Sequence, residues 1–221
     1  DDEFLAQDVV TRMVARAKEE SRPVALVVRK GLFAEYKLKS RRPDIADRRR
    51  EAVIEEILGG LPPDAVVVST TGMISREVYE TRERRGEGHG RDFLTVGSMG
   101  HALMIALGIA RAQSKRPVYC IDGDGASIMQ MGNLAIAGRS GCANLTHIVL
   151  NNAAHDSVGG QPTVGAEIDL EAIAKACGYN SAGAPVFRMV KVAKGARADL
   201  GRPKERPQEN KRLFMETLKN G

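Results

Sequence analysis

Two short runs combine residue types that suit ligand chemistry better than packing. The first is Cys120-Ile121-Asp122-Gly123-Asp124-Gly125-Ala126; the second is Val149-Leu150-Asn151-Asn152-Ala153-Ala154. In the first, the Asp124 carboxylate follows an apolar stretch and is flanked by glycines. Glycine lets the backbone approach a ligand closely and permits positive φ. Amides exposed at such a turn bind phosphate, above all where a helix follows. In the second run two asparagines stand directly after an apolar stretch, where they are poor strand residues. Together the runs suggest a site for a hard cation. Mg²⁺ takes oxygen ligands, commonly a carboxylate with substrate phosphates and water. Asp124 offers a carboxylate, Asn152 a side-chain carbonyl, and backbone carbonyls just beyond it another ligand. Taken alone, Gly-Asp-Gly reads equally as a plain turn; each run gains weight from the other.

Such a site needs elements that bring both runs to one place. The stretch between Asp124 and Asn152 holds one helix and one strand, a single crossover unit that sets adjacent strand ends side by side. The wider pattern agrees. Apolar positions Phe4, Leu5, Val9, Met13, Val14 and Ala17 recur at helical spacing over 4–20. Val24 to Val28 reads as a buried strand. The Lys- and Arg-rich residues 31–43 read as a linker. The pattern restarts with a helix over 44–58 and a strand over 65–69. A loop at Thr70-Thr71-Gly72 opens a helix near 73–82, and 86–91 is loop. Helix 98–113, strand 117–121, helix 130–140, strand 145–150, helix 169–177, strand 186–192 and helix 208–219 complete the series. The fold class is α/β, a parallel sheet with helices on both faces. In such sheets ligands bind beyond the carboxyl ends of the strands, where both runs lie.

Composition narrows the class. The 221 residues are 43% hydrophobic and 28% charged, as in a globular protein, and no apolar run suits a membrane span. The acidic start DDEFLAQDVV is unlike a secretory signal, so a cytoplasmic location is expected. Cys120, Cys142 and Cys177 are odd in number and widely spaced, against a disulfide framework and a zinc site. The net charge is +5, with clusters at Arg41-Arg42, Arg48-Arg49-Arg50 and Arg82 to Arg85. Only 4% of residues are aromatic and no nucleic-acid motif accompanies the clusters. They read as solvated helix faces or as steering for a small anion, and neither nucleic acid nor membrane is an expected partner. His155, in a glycine-rich loop beside the second run, would relay protons or serve as a structural histidine. His89 and His101 carry less, and Asp156 and Ser157 suit either a turn or a ligand.

Gly123-Asp124-Gly125 through Asn151-Asn152 resembles the signature of thiamine diphosphate-dependent 2-oxo acid decarboxylases, over about residues 44–193. The resemblance implies thiamine diphosphate and Mg²⁺ as cofactors. It implies Asp124 and Asn152 as side-chain metal ligands, with Ala154 giving a backbone carbonyl. It implies diphosphate contacts from Gly123, Gly125, Ala126 and Ser127. It also implies that Gly97-Ser98-Met99-Gly100 lies under the cofactor, with the Gly97 carbonyl accepting from its aminopyrimidine and Met99 as the wedge that bends it. Thr70, Thr71 and Gly72 match a further cofactor loop, although threonine also serves as a helix cap. Asn151 to Thr163, Ser69 to Glu77 and Arg197 to Pro203 resemble the phosphonopyruvate decarboxylases, with sulfopyruvate decarboxylases as their nearest relatives. The substrate implied is a small anionic 2-oxo acid.

That family needs a second domain, which holds the aminopyrimidine and supplies a catalytic glutamate. Residues 1–30 resemble only its last helix and strand, and 44–221 the diphosphate domain. The glutamate is expected outside this sequence, on a missing N-terminal part or on another chain, and a homo-oligomer is expected with it.

Overall fold

Runs of β-branched residues are stiff at χ1 and pack well on a pleated surface, and they form the centre of this protein. The structure, a computed structural model, describes residues 2–29, 31–34 and 42–220. Contacts divide the chain after Arg41 into two units.

The first unit contains α1 (Asp2–Glu19). The strand expected at Val24 to Val28 does not form. Residues 23–29 pair with no strand, and Val27 is 91% exposed. The apolar run is present, but no described strand of this unit lies beside it to satisfy its backbone groups. Most of the expected linker, residues 35–41, lies outside the described residues.

The second unit runs α2 (Arg50–Gly59), β1 (Val66–Ser69), α3 (Met73–Arg84), β2 (Asp92–Leu94), α4 (Ala102–Ala112), β3 (Val118–Gly123), α5 (Asp124–Met129), α6 (Gly132–Gly138), β4 (Leu145–Asn151), β5 (Ala154–His155), β6 (Gln161–Pro162), α7 (Leu170–Ala176), β7 (Val186–Lys191) and α8 (Pro207–Asn220). Five strands form a parallel sheet in the order β2-β1-β3-β4-β7. Alternate residues serve opposite faces. Val66, Val68, Val118, Cys120 and Leu145 pack against Ala102, Leu103, Leu134, Leu170 and Phe214. Val67, Ile121 and Ile148 pack on the other face against Val53, Ile54, Ile74 and Val78. Both faces are covered by helices, as the near-continuous apolar strands require. The chain leaves β1 for β2 on one side and returns to β3 on the other. The order therefore reverses between β1 and β3, the place where such sheets bind ligands.

Several boundaries differ from the periodicity. Helix α2 begins at Arg50, not at residue 44, because the preceding backbone is committed elsewhere. The Arg48 carbonyl accepts from the Ala193 amide at 2.7 Å, and Asp44 accepts from the Lys194 amide at 3.1 Å. Helix α4 begins at Ala102, not at residue 98, because Gly97, Ser98 and Gly100 have φ of 70°, 44° and 85°. The helix expected over 130–140 is shorter, and the six-residue α5 precedes it; a single turn and a half with Gly and Ser gives no readable period. Strand β2 and the antiparallel pair β5–β6 are likewise too short to read from alternation. Two of the basic clusters are not wholly solvated: Arg50 is 5% exposed and Arg82 is 4% exposed.

Candidate functional site

The carboxyl ends of β1, β3 and β4 open on one cavity of about 270 Å³. From β1 and its loop come Thr70, Thr71 and Gly72; from β3 and α5, Gly123, Asp124, Gly125 and Ala126; from the β4 end, Asn152, Ala154 and His155; Met99 lies across from them. Elements far apart in sequence thus deliver most of the expected residues to one wall-lined space. Gly97, Ser98 and Ser127 do not line it. Gly97 and Ser98 are exposed at their turn, where the Gly97 amide donates to Thr71 Oγ1 at 3.2 Å. Ser127 is buried, and its hydroxyl donates to Asp122 Oδ2 at 3.2 Å rather than into the cavity.

Asp124 is 1% exposed at the first residue of α5. The Thr163 hydroxyl donates to its Oδ2. Burial pushes its carboxyl above the ordinary range, while Thr163 and nearby backbone amides pull the other way. A buried carboxylate without a cation beside it is costly, so the position favours either a proton or a metal ion. The two asparagines have a local reason to end β4. Asn151 Oδ1 accepts from the Ala153 amide at 3.0 Å, and Asn152 Oδ1 accepts from the Ala154 amide at 3.1 Å. These are Asx turns. They hold Ala153 at φ 55°, a left-handed conformation that costs a side-chain-bearing residue roughly 1–3 kcal/mol. The turn places the Ala154 backbone at the cavity.

The His155 ring lies directly over Gly125. A Cβ built there would stand 2.5 Å from ring Cε1 and 2.7 Å from Nδ1, so a side chain at this position would have to displace the ring. Thr70 is buried in the cavity wall, and its hydroxyl has no partner among the described residues. Of the other histidines, His89 stacks on Tyr79 with ring centroids 4.0 Å apart. His101 Nδ1 faces the Ser98 and Met99 carbonyls at 3.2 and 3.3 Å.

Three contributors were not legible as site residues. Arg50 lines the cavity, yet it stands in a run of three arginines that reads as solvent-facing. It donates to Glu77 Oε2 and Oε1 at 2.7 and 3.0 Å and to Asp156 Oδ2 at 2.7 Å. Burial pushes the guanidinium's pKa down, but Glu77 and Asp156 more than reverse this and keep it protonated. Glu77 and Thr163 end two of the segments that carry the family resemblance, but neither was assigned a role there. A second buried polar group, Cys120, Asp122 and His147, has its ligand atoms within 4.8 Å of one another. None of the three lines the cavity. Asp122 is already engaged by the Gly123 amide at 2.9 Å and by Ser127, and faces His147 Nε2 at 3.4 Å.

Known proteins resemble this chain in sequence and in fold. The profile of the family described as "Thiamine pyrophosphate enzyme, C-terminal TPP binding domain" matches residues 70–220. Phosphonopyruvate decarboxylase of Streptomyces hygroscopicus is 40% identical over 193 residues, 79% of this chain and 47% of that protein. Sulfopyruvate decarboxylase subunit beta of Methanothermobacter thermautotrophicus is 38% identical over 131 residues, 59% of this chain and 67% of that subunit. The chain thus spans about half the length of the phosphonopyruvate decarboxylases it matches. Among solved structures, benzoylformate decarboxylase from Polynucleobacter necessarius superposes with a TM-score of 0.57 at 19% identity, covering 67% of this chain and 34% of that one. That likeness concerns the fold. Among the described residues no helix is long and apolar enough to cross a membrane.

Proposed function

The chain belongs to the thiamine pyrophosphate enzyme family, through the C-terminal TPP binding domain, and on that footing we propose that it supplies the diphosphate and metal half of a Mg²⁺-dependent decarboxylase of 3-phosphonopyruvate, yielding phosphonoacetaldehyde and CO₂. The observation that carries this reading is the convergence of the buried Asp124 carboxylate, Asn152 and the Ala154 backbone on one cavity at the strand-order reversal. The residues present fit the group. Asp124 and Asn152 offer oxygen ligands of the kind Mg²⁺ prefers. The partnerless Thr70 hydroxyl is an open hydrogen-bonding valence in the cavity wall. Gly125 keeps the space beside His155 that any side chain would fill.

In this reading Asp124, Asn152 and the Ala154 carbonyl hold Mg²⁺. Backbone around Gly123, Gly125, Ala126 and Ser127 receives the diphosphate. Gly97 and Ser98 lead into Met99, which supports the cofactor from below, and Thr70, Thr71 and Gly72 close the β1 side. When bound, thiamine diphosphate supplies the electron sink for loss of CO₂ from a 2-oxo acid. His155, over Gly125, is placed to hold or move a proton near the metal end. The cavity of about 270 Å³ falls near the lower end of ligand pockets, about 300–1,000 Å³. That size suits the diphosphate end alone, with a pyrimidine-binding domain from elsewhere completing the site and adding its glutamate. Arg50 is a poor candidate for the substrate's anionic tail, because Glu77 and Asp156 offset its charge.

A second reading, a sulfopyruvate decarboxylase subunit, is favoured by the match over 67% of a protein that is itself a subunit. In both readings the chain works as an oligomer in the cytoplasm, and a third reading is a cofactor-binding unit that is inactive alone. Calorimetric titration with thiamine diphosphate, with and without Mg²⁺, tests the half-site. Binding that needs Mg²⁺ and disappears in Asp124→Ala is the expected result. Unchanged affinity in that variant refutes the metal assignment. Aldehyde release from phosphonopyruvate against sulfopyruvate, once the complementary domain is added, separates the two substrates.

A further inference from the structure

We propose that Asp156 is a positioning residue for metal binding: clamped by Arg50, it fixes which way the Asn152 side-chain amide faces. The inference rests on the reading of Asn152 as a metal ligand.

An asparagine amide has two chemically different ends, and only the oxygen ligates a hard cation. Something must prevent the flip. Asn152 Nδ2 donates to Asp156 Oδ2 at 2.7 Å. A carboxylate oxygen only accepts, so the flipped amide would set oxygen against oxygen. With Nδ2 held there, Asn152 Oδ1 takes the Ala154 amide and keeps a second lone pair for a cation.

Asp156 is held in turn from several sides. Its Oδ2 also accepts from Arg50 Nη1 at 2.7 Å and from the Gly195 amide at 2.9 Å. Arg50 is gripped through both Glu77 oxygens and donates to the Gly195 carbonyl at 3.1 Å. The network joins α2, α3, the turn after β4 and the loop after β7 to one amide. Two carboxyl groups face one guanidinium, so the clamp sets no unpaired positive charge beside the cavity to repel a cation.

The position of Arg50 is itself informative. It is the first residue of α2, where a positive charge opposes the helix dipole, and it is 5% exposed. Neither helix formation nor solvation accounts for arginine there; the clamp does. Arg50 also lies outside residues 70–220 matched by the family profile. Outer-shell partners of metal ligands commonly change metal affinity about 10- to 100-fold when removed.

The test uses the full chain, Mg²⁺ and thiamine diphosphate. The Mg²⁺ concentration that half-saturates cofactor binding is measured by calorimetry for Asp156→Ala and Asp156→Asn, with urea unfolding of each. Asp156→Ala is expected to raise that concentration about 10- to 100-fold. Asp156→Asn keeps an acceptor oxygen for Asn152 and is expected to recover most of the loss. Equal losses in the two variants, or a change under about threefold in Asp156→Ala, overturn the clamp, since a purely structural role follows the unfolding midpoint and shows no such rescue. Should Asp156→Ala fail to fold, Arg50→Lys takes its place. One ammonium cannot reproduce the fork to both carboxylates, so weakened Mg²⁺ dependence supports the proposal and an unchanged value overturns it. Asn152→Ala is the reference. Mg²⁺ dependence that survives in Asn152→Ala overturns the metal reading and the clamp together; loss there without loss in Asp156→Ala overturns the clamp alone.

Discussion

Gly165 lies against the metal end of the site, although it carries no functional group. Its amide donates to Thr163 Oγ1 at 3.1 Å, and its carbonyl accepts from Asn151 Nδ2 at 2.7 Å. A Cβ added at Gly165 would stand 2.5 Å from Asp124 Oδ2 and 2.9 Å from Asn151 Oδ1. In Gly165→Ala the carboxylate must therefore retreat from 2.5 Å to ordinary contact at 3.4 Å or more, by about 0.9 Å. Its hydrogen bond from Thr163 resists that movement. Overpacking of this kind costs about 1–3 kcal/mol. Borne by the metal complex, that is about a 5- to 150-fold loss of Mg²⁺ affinity. Titration of Mg²⁺ at saturating thiamine diphosphate reads the loss, and urea unfolding without ligand reads the part borne by the fold. Wild-type Mg²⁺ affinity in Gly165→Ala would mean that the Asp124 carboxylate is not held where the cation binds, and would refute the reasoning.

Two further outcomes follow from the same structure. Gly108 is exposed within α4, and a Cβ there meets nothing within 4 Å; Gly108→Ala should stabilise the second unit by about 0.5–1 kcal/mol in urea unfolding, and no gain would mean that this face is not free. The pH dependence turns on Asp124, whose carboxyl burial raises above its ordinary value. A raised native value means that the native state binds the proton more tightly than the unfolded chain, so the ligand-free protein loses this stability as pH rises from the ordinary carboxylate range through the raised value. Mg²⁺ needs the ionised form, so its affinity should climb over the same window. Unfolding and Mg²⁺ titrations between about pH 4 and 7 check both signs; affinity that is flat with pH would count against Asp124 as the ligand.

The parallel α/β architecture was legible because its central strands are mostly apolar and its longer helices keep their period. Val66 to Val68 and Ile148 to Leu150 read as buried and are buried, and a buried parallel sheet needs helices on both faces. That Asp124 and Asn152 would share one site was legible because they are poor choices for packing at the ends of buried strands, and both do line the same cavity. What the sequence could not carry was anything depending on a partner distant along the chain. Val24 to Val28 has strand composition, but a strand exists only where a neighbour takes its hydrogen bonds. Arg50 looks like Arg48 and Arg49 beside it; only the fold sets it against Glu77 and Asp156. Gly165 has no signature, and nothing in the sequence gave Thr163 a role toward Asp124, because their effect on it is contact and hydrogen bonding across a turn. Residue type and local spacing are written along the chain and so determine the chemistry available; the orientation of each ligand group is set by contacts between segments, which exist only after the chain has folded.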